Sequence, residues 1–123
     1  MRLWLVIAAL NGALAVAAGA FAVHGLSQQL NAHALGIFET GARYHMYHAL
    51  AMGLAALAMQ GRAARAATWS AALFLTGIVL FSGSLYGFAV TGERAFAFVT
   101  PFGGVSFLAG WILLALAAWR SKA

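Results

Sequence analysis

Residues 3–25 read LWLVIAALNGALAVAAGAFAVHG and contain no Asp, Glu, Lys or Arg. A helix rises about 1.5 Å per residue, so roughly 20 apolar residues are needed to cross a hydrocarbon core of about 30 Å. Because backbone amides in lipid must be hydrogen-bonded within their own segment, this run predicts a membrane-spanning α-helix. A cleaved signal peptide is the alternative, with Ala18-Gly19-Ala20 as the cleavage site. The apolar stretch is longer than the roughly 7–15 residues of a signal peptide core, so we expect an uncleaved helix.

Three further apolar segments follow, separated by short polar connections that favour antiparallel neighbours. Thr100-Pro101 offers an N-cap and a proline at the first position of the last helix, and Asn31 offers a cap for an early start of the second. The sequence predicts an all-α membrane protein, a single domain over residues 1–123. Its fold class is an antiparallel bundle of four transmembrane helices at about 3–25, 37–60, 66–91 and 100–119.

The composition supports a membrane protein and excludes several classes of function. Hydrophobic residues make up 64% of the chain and charged residues 7%, against about 45–50% and 25% in soluble domains. No cysteine is present, which excludes disulfides, thiolate metal sites and cysteine nucleophiles. Glu39 and Glu93 are the only carboxylate side chains, and no phosphate loop, dinucleotide glycine pattern, H-E-x-x-H or G-x-S-x-G is present. We therefore expect a protein that is not an enzyme.

The net charge of +5 reflects orientation in the membrane rather than nucleic-acid binding, because no dense basic run is present. With four spans, both termini and the second connection share one side. The opposite side has Arg94 beside Glu93. The positive-inside rule therefore predicts that both termini are cytoplasmic. The cytoplasmic side then carries no acidic side chain and the cations Arg2, Arg62, Arg65, Arg120 and Lys122.

Small residues recur at spacings of three and four, which lets helix backbones approach closely where lipid supplies no hydrophobic drive. They form either packing faces within the chain or a dimerisation face, and we expect packing within the chain. They are Ala8, Gly12, Ala15, Gly19 and Ala22 in the first helix, Ala49, Gly53 and Ala56 in the second, Gly83 and Gly87 in the third, and Gly103, Ser106 and Gly110 in the fourth.

Residues 38–48, FETGARYHMYH, place polar side chains on every face of the second helix. Such a turn cannot face lipid, so we expect it inside the bundle, on its periplasmic half. Glu39 and Arg43 have the spacing and order of a helical ion pair. His48 lies about 16 Å deep if the helix starts near Ile37. The candidate polar pocket comprises His24, Glu39, Arg43, Tyr44 and His48.

Each of these groups has a structural and a functional interpretation. The Glu39–Arg43 pair either holds two helices in register or serves a site. His48 is either a neutral imidazole bonded to a hydroxyl, or a ligand-binding residue. His45 and His48 at i, i+3 are a weak metal signal. The hydroxyl candidates for His48 are Ser82, Ser84 and Tyr86, and Asn11 is a separate polar point in the first helix.

Several blocks in order resemble the family called domain of unknown function 423, whose eukaryotic relatives are called transmembrane protein 256. These blocks are Gly19-Ala20-Phe21, His24-Gly25-Leu26, Phe38-Glu39-Thr40-Gly41, Arg43-Tyr44, Met46-Tyr47-His48-Ala49-Leu50, Phe81-Ser82-Gly83-Ser84-Leu85-Tyr86, Thr100-Pro101, Gly103-Gly104 and Gly110-Trp111. The resemblance implies a small four-helix, multi-pass protein of the bacterial inner membrane, with no assigned activity. Glutamine is usual in the family where this chain has His45, which argues against a two-histidine metal site as a family function.

Two classes of function follow from this sequence, with a third behind them. An accessory or scaffold protein is favoured by the small size, the few charges and the missing motifs. The alternative is a binding module whose periplasm-facing polar pocket holds a small ligand, metal or haem. A minimal transporter would have to dimerise to enclose a path. The expected partners are the lipid bilayer and a membrane protein or a second copy of the chain, with no nucleic acid.

The orientation gives the first prediction. Reporter fusions at Ala123 and in the connection at Asn31 should report opposite sides of the membrane, because the cations are concentrated on the side of the termini. A reporter that is active only in the periplasm should be silent at Ala123 and active at Asn31. Activity at Ala123 would contradict the predicted orientation.

Overall fold

The computed structural model describes residues 1–121, and these residues are helical with no strand. The α-helices are α1 (Arg2–His24), α2 (Ala32–Leu57), α3 (Ala64–Gly77), α4 (Gly83–Thr91) and α5 (Arg94–Arg120). A π-helical segment, Ile78–Ser82, joins α3 to α4 without a break, and short 3-10 turns occupy Leu26–Gln28 and Gly61–Ala63. Lys122 and the fusion site Ala123 lie outside the described residues. The prediction of an all-α fold is confirmed for the described residues.

Within the described residues, three helical stretches are long and apolar enough to cross a membrane. They are Arg2–Gln28, Gly61–Thr91 and Arg94–Arg120. The second helix, α2, has 26 residues and so has spanning length, but its polar residues between 38 and 48 lower its hydropathy. The protein therefore combines three apolar spans with one helix of similar length that carries a dense polar stretch and three of the four histidines.

The second helix starts earlier than residue 37, the expected start, because Asn31 caps it. Asn31 has extended backbone dihedrals, and its side chain accepts a hydrogen bond from the Ala34 amide at 2.8 Å. An asparagine in this position satisfies one of the amides that the first turn of a helix leaves free. The added turn moves the start of α2 to Ala32, and the helix ends at Leu57 rather than at residue 60.

The expected start of the last helix at Thr100-Pro101 is wrong. The connection from α4 is made at Gly92, whose positive φ of 74° is readily adopted by glycine, and α5 begins at Arg94. Pro101 therefore lies inside α5. Proline fixes a helical φ, so it is compatible with either position, and transmembrane helices tolerate it when nearby hydroxyls satisfy the backbone. Thr100 Oγ1 lies 3.2 Å from the Phe96 carbonyl oxygen and 2.6 Å from Ser84 Oγ.

The first helix packs chiefly against α2 through part of its small-residue pattern. Ala8, Ala15 and Ala22 are buried. A Cβ added at Gly12 or Gly19 would meet nothing within 4 Å. The packing surface of α1 thus consists of alanines seven residues apart, while the two glycines between them face open space.

The expectation that Gly103, Ser106 and Gly110 pack within the chain is confirmed. A Cβ at Gly103 would collide with the backbone of Phe81, so the π segment and α5 approach closely there. Ser106 Oγ donates to the Leu73 carbonyl at 2.7 Å. Ser70 Oγ donates to the Gly110 carbonyl, also at 2.7 Å. Close backbone contact and interhelical hydrogen bonds therefore hold α5 against the continuous helical stretch Gly61–Thr91, which contains α3, the π segment and α4 and is here called the third span.

Gly103 and Gly104 form a matched pair for testing this close approach. Gly103→Ala should destabilise the protein by about 1–3 kcal/mol, because the added methyl group overlaps the Phe81 backbone. Gly104→Ala should be neutral or stabilising, because the nearest atom to its added Cβ is Phe81 Cδ2 at 4.0 Å and alanine favours the helix. Thermal unfolding in detergent measures both variants, and an equal effect of the two would contradict the packing described.

Candidate functional site

His45 is buried at the meeting point of three helices. Its Nδ1 lies 2.9 Å from the Tyr86 hydroxyl of α4, and its Nε2 lies 3.0 Å from Asn11 Oδ1 of α1. Asn11 Nδ2 donates to the Ile7 carbonyl at 2.9 Å, which leaves Oδ1 as the atom that accepts from His45. His45 therefore donates through Nε2 and accepts at Nδ1 from Tyr86. One neutral tautomer satisfies every group in this network.

His48 is buried one turn deeper along α2 and also has both ring nitrogens occupied. Its Nδ1 lies 2.7 Å from the Tyr44 carbonyl oxygen, which only accepts, so Nδ1 carries the proton. The Trp111 indole donates to His48 Nε2 at 3.1 Å. The ring of Phe107 stacks on the imidazole with centroids 3.5 Å apart and planes 7° apart. These contacts fix a neutral imidazole with its lone pair directed at Trp111.

The hydroxyl partners expected for His48 are wrong. Tyr86 bonds to His45 instead. Ser84 Oγ lies 2.9 Å from the Phe81 carbonyl and bonds to Thr100. Ser82 Oγ is buried with no hydrogen-bond partner. The sequence placed the histidine correctly in the interior, but its partner, Trp111, lies on α5.

The structure does not form the expected Glu39–Arg43 ion pair, and no ion pair joins these two residues within the described chain. Arg43 Nη2 donates to Thr40 Oγ1 at 3.3 Å, and the Arg43 side chain is exposed. Glu39 and Arg43 line a cavity of about 280 Å³ beside Gly19 of α1. The helical spacing puts them on one face, which lines this cavity between α1 and α2.

The five residues of the expected polar pocket therefore do not form one site. Tyr44 and His48 share a cavity, whereas Glu39 and Arg43 lie at a different one. His24 is exposed at the end of α1 and lines neither of these two cavities. The expectation that the whole polar turn of α2 is enclosed is also wrong, because Arg43 and Tyr44 are exposed while His45 and His48 are buried.

A groove of about 830 Å³ lies between α2 and α5 and is here called the α2/α5 groove. Its walls are apolar and aromatic. His48 and Trp111 contribute the hydrogen-bonded pair along one side. The lining residues are Tyr44, Tyr47, His48, Leu50, Phe81, Pro101, Gly104, Val105, Phe107, Leu108 and Trp111. The groove suits an apolar or amphipathic occupant rather than a polar one.

Trp111 and Phe107 are the residues that the sequence analysis missed. Trp111 lies well inside α5, whereas tryptophans in membrane proteins concentrate at the interfaces. A tryptophan at that depth within a spanning helix needs a hydrogen-bond partner for its indole N–H, so its position in the sequence is the one feature that indicates a polar contact there. No pattern in the sequence indicates that the partner is His48. Among residues 1–121, no group of three or more His, Asp or Glu side chains is arranged to hold a metal.

The family model described as protein of unknown function (DUF423) matches residues 18–104. The chain belongs to the DUF423 family. It is 47% identical over 121 residues to the UPF0382 inner membrane protein YgdD of Escherichia coli (strain K12), covering 98% of this chain and 92% of the relative. No solved structure matches the chain.

Two other DUF423 relatives show the same full-length similarity. The UPF0382 membrane protein of Haemophilus influenzae is 44% identical over 119 residues, with 97% of this chain and 95% of the relative covered. The UPF0382 membrane protein SAB0533 of Staphylococcus aureus is 38% identical over 120 residues, with 98% of each covered. Together with the apolar spans, these relatives place the chain in the inner membrane as a multi-pass protein whose family description assigns no activity.

The His45 network gives a prediction that compares two variants at one position. His45→Leu leaves Asn11 Oδ1 and the Tyr86 hydroxyl without their partner, and each unsatisfied group costs about 1–3 kcal/mol. His45→Gln retains a donor and an acceptor, so it should lose much less stability. Thermal unfolding in detergent measures the difference, with Tyr47→Phe as the control at an exposed hydroxyl. Equal losses for the two His45 variants would show that the network does not stabilise the fold.

Proposed function

We propose that the protein is an accessory or scaffold protein that acts by packing within the membrane and performs no chemistry of its own. The observation that carries this proposal is the use of the buried polar side chains. Six polar side chains are buried among the described residues, and all of them except Ser82 are hydrogen-bonded to groups of the same chain: His45, His48, Ser70, Ser84 and Ser106. Polar groups that are satisfied in this way hold helices together and are not directed toward a ligand.

The architecture that we propose for this role is an antiparallel bundle of four transmembrane helices with both termini in the cytoplasm. The hydrogen bonds between the third span and α5 join Ser84 to Thr100, Leu73 to Ser106 and Ser70 to Gly110. In these three pairs the residue number in the third span falls as the residue number in α5 rises, which supports an antiparallel arrangement of the two helices. The distribution of cations supports the orientation.

A catalytic role is not supported by the positions of the carboxylates. Glu93 stands at the N-cap position of α5 in an exposed connection and makes no side-chain capping bond, and Glu39 lies at the small cavity beside α1. Neither lines the α2/α5 groove with His48. A general acid or base must lie within hydrogen-bond reach of the reacting group and usually works with a second polar residue.

A polar pocket for a metal or haem, the alternative function, is also not supported. An imidazole ligates a metal through an unprotonated ring nitrogen. In His48 that nitrogen accepts from Trp111, and in His45 it accepts from Tyr86. Binding a metal at either histidine would require one of these hydrogen bonds to be broken.

In-cell photocrosslinking tests the scaffold proposal on the three outward faces of the bundle. We expect a photoreactive phenylalanine analogue at one of three exposed positions, Val16, Val79 or Ile112, to give a discrete protein adduct while the other two do not. The adduct should persist in His48→Gln, because a packing role does not depend on that imidazole.

A bound metal or haem would argue against the scaffold proposal. The metal and haem contents of the purified wild type, His48→Gln and His24→Gln are measured together. A stoichiometric metal or haem that is lost in either variant, with no protein adduct at any of the three faces, would overturn the scaffold proposal in favour of a binding module.

A further inference from the structure

A second cavity, of about 680 Å³, lies where α2 and α5 end and is here called the arginine cavity. Arg62 and Arg120 both line it. Gly61 has a positive φ of 53°, which turns the chain directly before Arg62. Glu39 and Glu93, the only carboxylate side chains, are not among the residues that line it. In the part of the chain that the structure describes, two guanidinium groups therefore share a cavity that no carboxylate side chain lines.

The arginine cavity and the α2/α5 groove lie along the same pair of helices. On α2, the exposed side chains Leu50, Leu54 and Leu57 connect the groove to the cavity. Their spacings of four and three residues put them on one face of the helix. On α5, exposed residues follow the same spacing at 108, 111, 115 and 118. An apolar track thus runs from the groove to the two arginines.

The length of this track matches one leaflet of a bilayer. Tyr47 lines the groove and Leu57 lines the arginine cavity, ten residues farther along α2. Ten helical residues span about 15 Å, which is about half of a 30 Å hydrocarbon core. The arginines also lie on the side that the positive-inside rule assigns to the cytoplasm, where anionic lipids concentrate.

We infer that the arginine cavity, the apolar track and the α2/α5 groove together bind one anionic phospholipid of the cytoplasmic leaflet. Arg62 and Arg120 hold the phosphate, since guanidinium groups pair with phosphate oxygens through two parallel hydrogen bonds. One acyl chain lies along Leu57, Leu54 and Leu50 and ends in the groove beside Trp111. A free phosphate ion would leave the groove and the track unoccupied, so the lipid accounts for both cavities together. This inference goes beyond the scaffold proposal and does not depend on it.

Native mass spectrometry of the full chain tests the site. The protein is released from nanodiscs that hold a minor fraction of phosphatidylglycerol in phosphatidylcholine. We expect retained phosphatidylglycerol to exceed its share of the bilayer, by about fivefold for each arginine. Arg62→Gln and Arg120→Gln should each lower this enrichment. Arg65→Gln is the matched control, because it removes an exposed cation of the first turn of α3 that is close in sequence to Arg62 but does not line the cavity.

Two further experiments distinguish binding of the whole lipid from binding of its headgroup alone. Gly104→Leu should lower retention of the lipid by filling the groove, because the nearest atom to its added Cβ is Phe81 Cδ2 at 4.0 Å. Leu108→Trp repeats this test at a second position that lines the groove. Soluble glycerophosphoglycerol, which has the headgroup without acyl chains, should not displace the lipid. Circular dichroism and thermal unfolding verify that each variant is folded.

Three outcomes would overturn the inference. The first is no enrichment of phosphatidylglycerol in the wild type. The second is an equal loss in Arg65→Gln, which would indicate diffuse attraction to the whole basic surface. The third is evidence that an acyl chain in the groove does not contribute to binding, shown either by full retention in folded Gly104→Leu and Leu108→Trp or by displacement of the lipid by glycerophosphoglycerol.

Discussion

The structure depends on the need to satisfy polar side chains where no water is available. In the hydrocarbon region an unpaired donor or acceptor costs several kcal/mol, so a helix as polar as α2 is stable only when its neighbours supply partners. Asn11 and Tyr86 supply them for His45, and Trp111 supplies one for His48. Each partner comes from a different helix. The polar residues of α2 thereby fix its rotation relative to all the other helices.

Close packing of backbones at small residues is the second interaction that holds the helices together. Lipid chains are as apolar as leucine, so helices gain little from contact through large aliphatic side chains alone. The third span and α5 instead meet at glycine and serine, with Gly103 against the backbone of Phe81 and Ser70 bonded to the Gly110 carbonyl. Large side chains such as Leu108 and Val79 are left on the outside, facing lipid. At this interface, small residues lie between the helices and large apolar side chains lie on the surface, which is the reverse of their usual distribution in a soluble protein.

The sequence predicted the helical class and the apolar spans because segment length and charge are local properties. It misjudged the start of α5, since proline after threonine is compatible with both a first turn and a helix interior. It identified His48 as buried, because a polar group in a spanning helix turns inward. It could not identify Trp111 as the partner, or show that Arg43 points outward, because these depend on the rotation of α2 against helices distant in sequence.

The π segment has a consequence for how the third span tolerates changes in length. Gly83 donates to the Ile78 carbonyl five residues earlier, so this turn holds one residue more than an α-helical turn. In a regular helix Phe74 and Tyr86 would differ by about 120° in direction, whereas with one residue absorbed they differ by about 20°. Phe74 can then contact His48 while Tyr86 contacts His45. A chain one residue shorter here, with a regular α-helical turn, would present the same two faces, so the π turn allows the loss of one residue without turning Phe74 or Tyr86 away from the histidines.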